Sequence, residues 1–285
     1  MSLFSLLTSP FTFSIDTSST SLQSMLAELY PASLITAGLE RQHIYDFHID
    51  YHRHWAGKSR PYHFRCGSEH FRMAEQAQLV ATFEWGLNWC VAAWQQKYLA
   101  IHAAVLEKNG QALIMPAPPG SGKSTLCALL MLNGWRLLTD EMCLIDPDSG
   151  IIHPYVRPLS LKNQSIDVIK HYHPQCRIFH RTKDTEKGTV AYLRPTDLSW
   201  QQYQHTAKAA WVLFPQYSVN AGAAELYALP KADCLMYLAQ NSFNYSAYGK
   251  DGFDCLCRLV EQTDCFRLEY HDTGMMLDML EQLLC

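Results

Sequence analysis

The sequence predicts an α/β protein, with a smaller mixed β/α region over residues 1–98 and a phosphate-loop domain with a central β-sheet over 99–285. Two apolar runs joined by Asn109-Gly110 lead straight into G-S-G-K-S-T at 120–125, which opens a leucine-rich stretch. That stretch is followed by an apolar run into two acids, Asp140 and Glu141. Before residue 98, by contrast, short runs alternate polar and apolar residues and one long segment has helical spacing.

At 285 residues the chain is long enough for one large domain or two modest ones. A hydrophobic content of 48% with 18% charged residues is the profile of a folded soluble protein. The formal net charge of -4 argues against a nucleic-acid partner or an anionic membrane surface. No window holds eighteen uninterrupted apolar residues, so no membrane span is expected. The opening "MSLFSLLTSPFTFSI" lacks a basic stretch and a cleavage site, and reads as a folded segment and not a signal peptide. Ten cysteines are scattered, and only Cys255 and Cys257 stand close, with no second pair to complete a zinc site. They read as small buried hydrophobes in a reducing compartment, which makes the expected location cytoplasmic.

In the first region "FTFSI", "IYDFHIDYH" and "YHFRCG" read as strands, because apolar and polar positions trade places. Residues 74–97 are helical by spacing, with Leu79, Phe83, Leu87, Val91 and Trp94 on one stripe expected to pack against the next domain. Six histidines crowd between 43 and 70, and His52 and His54 would share a strand face, as two ligands of a metal site would. No carboxylate or cysteine stands at a recognised ligand spacing beside them, so surface and core histidines are expected there.

In the second region "LAIHAAVLE" and "QALIMPA" read as two strands, since Asn-Gly suits a tight hairpin turn. "STLCALLMLNGW" is a helix with Leu126, Leu129 and Leu130 inward and Gly134 as its terminator. "WRLLTDEMCLIDPDSG" reads as a further strand pair ending in a Pro-Asp-Ser-Gly turn.

Strand, glycine loop and helix in this order read as a phosphate cradle, the plain alternative being a structural glycine turn. The usual first glycine is replaced by Ala117, which fits only if its φ stays negative. Pro118 and Pro119 have no N–H to offer. The anion must therefore be held by the amides of Gly120, Ser121, Gly122, Lys123, Ser124 and Thr125, at a helix N-terminus whose dipole favours negative charge. Lys123 would bridge the β and γ phosphates of a nucleoside triphosphate, and the Ser124 hydroxyl would hold Mg²⁺. Phosphoryl transfer also needs a metal-holding carboxylate and a group that positions the nucleophile. Asp140 and Glu141 are the candidates, the plain alternative being solvated turn carboxylates. His102, in an otherwise apolar run, reads on its own as a core histidine.

The stretch "IHAAVLEKNGQALIMPAPPGSGKSTLCALLMLNGWRLLTDEMCLID" resembles the catalytic core of HPr kinase/phosphorylase, with a histidine before the hairpin, a G-x-G-K-S loop and a strand ending in paired acids. "EWGLNWC", "RPLSLKNQSIDVIK", "KGTVAYLRPTDLS" and "NSFNYSAYG" are similar to the HprK-related kinase A subgroup, so the resemblance spans nearly the whole chain. It implies a kinase that moves the γ-phosphate of ATP, with Mg²⁺, to a hydroxyl, that of a serine. By position the general base falls to Asp140 and the metal to Glu141 with Ser124, Asp140 sharing it; His102 belongs to the catalytic set, and Arg157 in "VRPLSLKN" would stabilise transferring charge, with Lys162 and Lys187 weaker alternatives. The acids are Asp-Glu and not Asp-Asp, Thr125 stands where the bacterial enzymes carry an acid, and the first region shows no resemblance to theirs. A peptide or small protein is the implied acceptor, in keeping with the subgroup's association with peptide modification. HPr kinase relatives are hexamers, so a homo-oligomer is compatible with the resemblance.

Two other readings belong beside this one. The chain would act as an ATP-binding scaffold or sensor, with Trp55, Trp85, Trp89 and Trp94 as an interaction surface, or as a kinase of a small-molecule alcohol. A pure binder needs Lys123 and Ser124 but no base at Asp140.

Overall fold

Alternating short runs and longer apolar ones give this chain a mixed α/β architecture in the computed structural model, which describes residues 2–38, 44–53, 62–73, 78–118, 120–185 and 188–284. The first strands and helices are β1 (Ser2–Thr8), β2 (Phe11–Thr17), α1 (Thr20–Leu29), β3 (Ile35–Ala37), β4 (Phe47–Arg53), β5 (Tyr62–Cys66), β6 (Glu69–Met73) and α2 (Leu79–Trp94). Next come β7 (Leu99–Lys108), β8 (Gln111–Pro116), α3 (Lys123–Leu132), β9 (Arg136–Thr139), β10 (Met142–Ile145) and β11 (Ile152–His153). They are followed by β12 (Leu159–Lys162), α4 (Gln164–Tyr172), β13 (Ile178–Thr185), β14 (Gly188–Leu193) and α5 (Asp197–Gln201). The last are β15 (Lys208–Tyr217), β16 (Ala224–Ala228), α6 (Lys231–Gln240), α7 (Tyr245–Gln262), β17 (Asp264–Tyr270) and α8 (Thr273–Leu284). None of the described helices is long and apolar enough to cross a membrane.

The chain divides into two units. The first holds residues 1–95, 157–170 and 174–194, and the second 96–156, 171–173 and 195–285. The chain leaves the first unit after residue 95 and re-enters it at 157, a return that nothing in the local sequence pattern signals.

The first unit is built on a six-stranded sheet in the order β3-β1-β2-β4-β5-β6, with a three-stranded sheet β12-β14-β13. Alternation sends Phe13, Ile15, Ile49, Tyr51 and Phe64 to the buried face. Helix α2 places Leu79, Phe83, Leu87 and Val91 in the core, where Phe83 meets Tyr51 and Phe64 edge-on. Burying each such side chain contributes about 1.5–3 kcal/mol. Two expectations change here. The stripe packs on the sheet of its own unit, and Trp94 lies outside it, 51% exposed, because the helix ends there. The stripe also carries an uncounted buried acid, Glu84.

In the second unit the sheet runs β11-β10-β7-β8-β15-β17-β16, and β9 also pairs with β7. The β7–β8 turn has positive φ at both Asn109 and Gly110, the geometry that an Asn-Gly hairpin turn requires. Both faces of β7 are covered, which is why it reads as an unbroken apolar run. Leu99, Ile101, Ala103 and Val105 join Leu238, Leu256 and Val260 from α6 and α7 in one core, and the intervening positions, His102 among them, face the other way. Strands β8, β15 and β17 are mutually parallel, so their C-terminal ends open on one edge.

The expected strand pair at 135–150 is a different object. β9 and β10 both lie antiparallel to β7, with Thr139 opposite Val105 and Met142 opposite His102, so they form one path interrupted at Asp140 and Glu141. The interruption has a local cause. The Thr139 hydroxyl accepts from the amides of Glu141 (3.3 Å) and Met142 (3.0 Å), drawing the backbone out of the ladder.

Candidate functional site

Residues 117–122 link the end of β8 to α3. Ala117 is buried and is not among the residues with positive φ, as its replacement of glycine requires. Gly120 (φ 89°) and Gly122 (φ 91°) occupy the left-handed region that side chains disfavour. At Gly122 space is also lacking, since a Cβ there would lie 2.6 Å from Tyr270 Oη and 3.4 Å from Tyr217 Cβ. The first bond of the helix ladder runs from Leu126 N to Gly122 O, which leaves the preceding turn of amides directed out of the helix N-terminus. The Ser121 hydroxyl oxygen is buried and has no hydrogen-bond partner among the described residues. The backbone carbonyl of the same residue accepts from Tyr217 N at 3.1 Å.

Lys123, at the first position of α3, is itself buried. Its ammonium donates to His102 Nε2 at 3.2 Å and to the Asp140 backbone carbonyl at 3.4 Å. The long-range pairing of β7 with β10 thus brings together residues far apart in sequence: His102, Lys123 and the Asp140–Glu141 interruption. Both acids are partly exposed. Burial, with the Asp140 carboxylate nearby, pushes the Cys127 thiol up, so that group stays protonated.

The chain also builds around His102 a set of contacts that the sequence reading did not assign. His102 N donates to Asn241 O (2.7 Å), Phe243 N donates to Ala100 O (2.9 Å), and the Phe243 ring meets the imidazole edge-on at 5.9 Å. Phe243 is 45% exposed. On the other side of β8, Tyr217 and Tyr270 end β15 and β17 in register with each other. No local pattern marks these aromatics, because each is placed by strand pairing.

Arg157 belongs to the first unit and is bound there. Its guanidinium donates to the Glu84 carboxylate through Nε (3.1 Å) and Nη2, and to the Glu84 carbonyl (2.6 Å) and Asn88 Oδ1. Tyr30 Oη donates to both Glu84 oxygens, at 2.8 and 3.0 Å. The guanidinium expected to stabilise transferring charge thus pairs with a buried carboxylate, and both partners are about 5% exposed. Lys162 ends β12 in the same unit, while Lys187 lies outside the described residues.

His54 and Trp55 also lie outside the described residues. His52 has the carboxylate neighbours that the sequence spacing did not show. The parallel register of β2 and β4 sets Asp16 beside Asp50, and Asp16 lies 3.4 Å from His52 Nε2. Asp50 accepts from Arg65. The described cysteines are all free thiols, and all but Cys176 and Cys257 are buried.

The fold and the site define a mixed α/β protein with a glycine loop opening a helix beside a lysine, histidine and acid cluster. Residues 72–158 match the family model of SynChlorMet cassette protein ScmC. The matched stretch is under half of the chain and contains His102, the 117–122 loop, Lys123, Asp140, Glu141 and Arg157. No curated protein matches the chain.

Proposed function

We propose that this chain is an ATP-dependent kinase of P-loop type, transferring the γ-phosphate to a hydroxyl, that of a serine, in a peptide or small protein. The observation that carries the proposal is the buried Lys123 ammonium at a helix N-terminus, directed at His102 and at the Asp140 backbone. The residues present fit a triphosphate. Ser121 offers a buried hydroxyl with no partner among the described residues, and the two positive-φ glycines keep the loop open to an anion. Ser124 with Glu141 and Asp140 would hold Mg²⁺, which when bound neutralises charge on the β and γ oxygens.

The chain's own residues then divide the work. The amides of 120–125 hold the phosphates in place, and Lys123 moves its donors from His102 to the β and γ oxygens. The Asp140 carboxylate takes the proton from the attacking hydroxyl as the new O–P bond forms and the bond to ADP breaks. His102 positions Lys123 before the nucleotide arrives. ATP and the serine acceptor are supported by the resemblance to HPr kinase-like proteins. Their exchange for GTP or a small alcohol would leave these roles unchanged.

The test is single-turnover transfer at saturating Mg-ATP to a serine-containing peptide. Asp140→Asn keeps the shape but cannot take the proton, so transfer should fall about 10²–10⁴-fold while Mg-ATP still binds. A variant running at the wild-type rate removes the kinase mechanism and leaves an ATP-binding scaffold or sensor as the better account.

A further inference from the structure

Lys123 sets the direction of a triphosphate held by the 117–122 loop. Its Nζ points to His102 on β7 and to Asp140, so the terminal phosphate belongs on the β7 side of β8. The remainder of a nucleotide must leave across the other neighbour of β8, which is β15. Ligands of parallel strands bind beyond the C-terminal ends of those strands, and the residue ending β15 is Tyr217.

Three observations set Tyr217 apart from an ordinary surface tyrosine. Its backbone N–H is bonded to Ser121 O, which ties the end of β15 to the loop. Its ring lies edge-on to Tyr270, with centroids 5.6 Å apart, and strand register pairs the two residues directly. Tyr270 is buried against Gly122, whereas Tyr217 is 46% exposed. Burial and the neighbouring Tyr217 push the Tyr270 phenol up, so the ring beneath remains neutral. A half-exposed aromatic ring packed edge-on against a buried one, one hydrogen bond from the loop, offers a stacking surface.

We infer that Tyr217 is the platform for the nucleobase of a bound nucleoside triphosphate. The inference rests on the nucleotide reading of the same site and adds the ligand's other end. Stacking tolerates any base, because every base has a π-face, so Tyr217 contributes affinity without choosing adenine over guanine.

The experiment is calorimetry on the full chain with two probes, Mg-ATP and Mg-tripolyphosphate, the second having no base. Tyr217→Ala should weaken Mg-ATP about tenfold to a hundredfold and leave tripolyphosphate within about twofold. Tyr217→Phe and Tyr217→Trp should retain the Mg-ATP affinity, and thermal unfolding should show all three variants folded. Equal losses on both probes overturn the inference, because Tyr217 would then shape the loop and not meet the base. An unchanged Mg-ATP affinity in Tyr217→Ala overturns it too. A wild-type chain that binds neither probe overturns the nucleotide reading itself, and the inference with it.

Discussion

Lys123 Nζ lies 3.2 Å from His102 Nε2. An ammonium has only donors, so in this contact the imidazole accepts at Nε2. The pair holds the lysine at the mouth of the helix, so under the proposed function a triphosphate would need little further ordering of that side chain.

Removing either partner separates binding from positioning. Lys123→Ala should weaken Mg-ATP roughly tenfold to a hundredfold, as charge-assisted bonds to the phosphates are lost. His102→Ala should change affinity less than Lys123→Ala does and should lower the single-turnover rate more than the affinity. Calorimetry paired with transfer kinetics reads both. Unchanged Mg-ATP binding in Lys123→Ala would show that the loop is not a phosphate site.

Glycines 120 and 122 share a backbone angle but not an environment. Gly120→Ala meets none of the described residues within 4 Å and carries backbone strain, of the order of 1–2 kcal/mol. Gly122→Ala adds a clash with Tyr270 Oη, 2.6 Å from the new Cβ, and should lose both stability and Mg-ATP affinity by more. Melting temperatures and calorimetry on the two variants compare them directly, and equal effects would show that Tyr270 yields.

Glu141→Gln should raise the Mg²⁺ concentration needed for half-maximal transfer while leaving the rate at saturating Mg²⁺ near that of the wild type. Asp140→Asn should stay slow at any Mg²⁺ concentration. A magnesium titration of transfer rate distinguishes metal ligand from base. The assignments exchange if the two profiles do.

Arg157→Ala leaves the Glu84 carboxylate buried without its cation, which typically costs about 3–5 kcal/mol. Denaturant unfolding should show this loss, and Arg157→Lys should recover only part of it, because a single ammonium cannot reproduce the guanidinium's fork onto Glu84 and Asn88. If stability is unchanged and only transfer falls, Arg157 acts on the phosphate after all.

Asp146 supplies a pH dependence. The amide and hydroxyl of Ser149, followed by the Asp148 amide, hold its carboxyl below the usual carboxylate range. A depressed folded pKa contributes stability that is fully present above the ordinary value near 4 and is lost as pH falls through the folded value. Asp146→Asn should therefore be less stable near neutrality and lose less on acidification from about pH 5 to 3. Parallel melting curves for the two proteins would expose an error in the assignment.

Local sterics and periodicity made much of the chain legible in advance. Asn109-Gly110 sits in a turn with positive φ at both residues, and α3 begins at Lys123 and is followed by Gly134 at φ 94°. These outcomes depend on residues within a few positions of one another, so the sequence by itself determined the hairpin, the glycine loop and the helix it opens. It also determined which residues could serve a phosphate, because Lys123, Ser124 and the amides of 120–125 are contiguous.

Tertiary structure decided what those residues face. Whether β9 and β10 pair with each other or both lie along β7 is a choice between partners of similar apolar character, and only the ladder, with Thr139 opposite Val105 and Met142 opposite His102, brings the Asp140 backbone to Lys123. The return of the chain to the first unit at 157 bound Arg157 to Glu84, a contact between distant residues that no spacing rule anticipates. Tyr217 and Tyr270 met the loop for the same reason: side-chain alternation has a period of two wherever a strand lies, but which strands become neighbours is set by burial and loop closure over the whole chain.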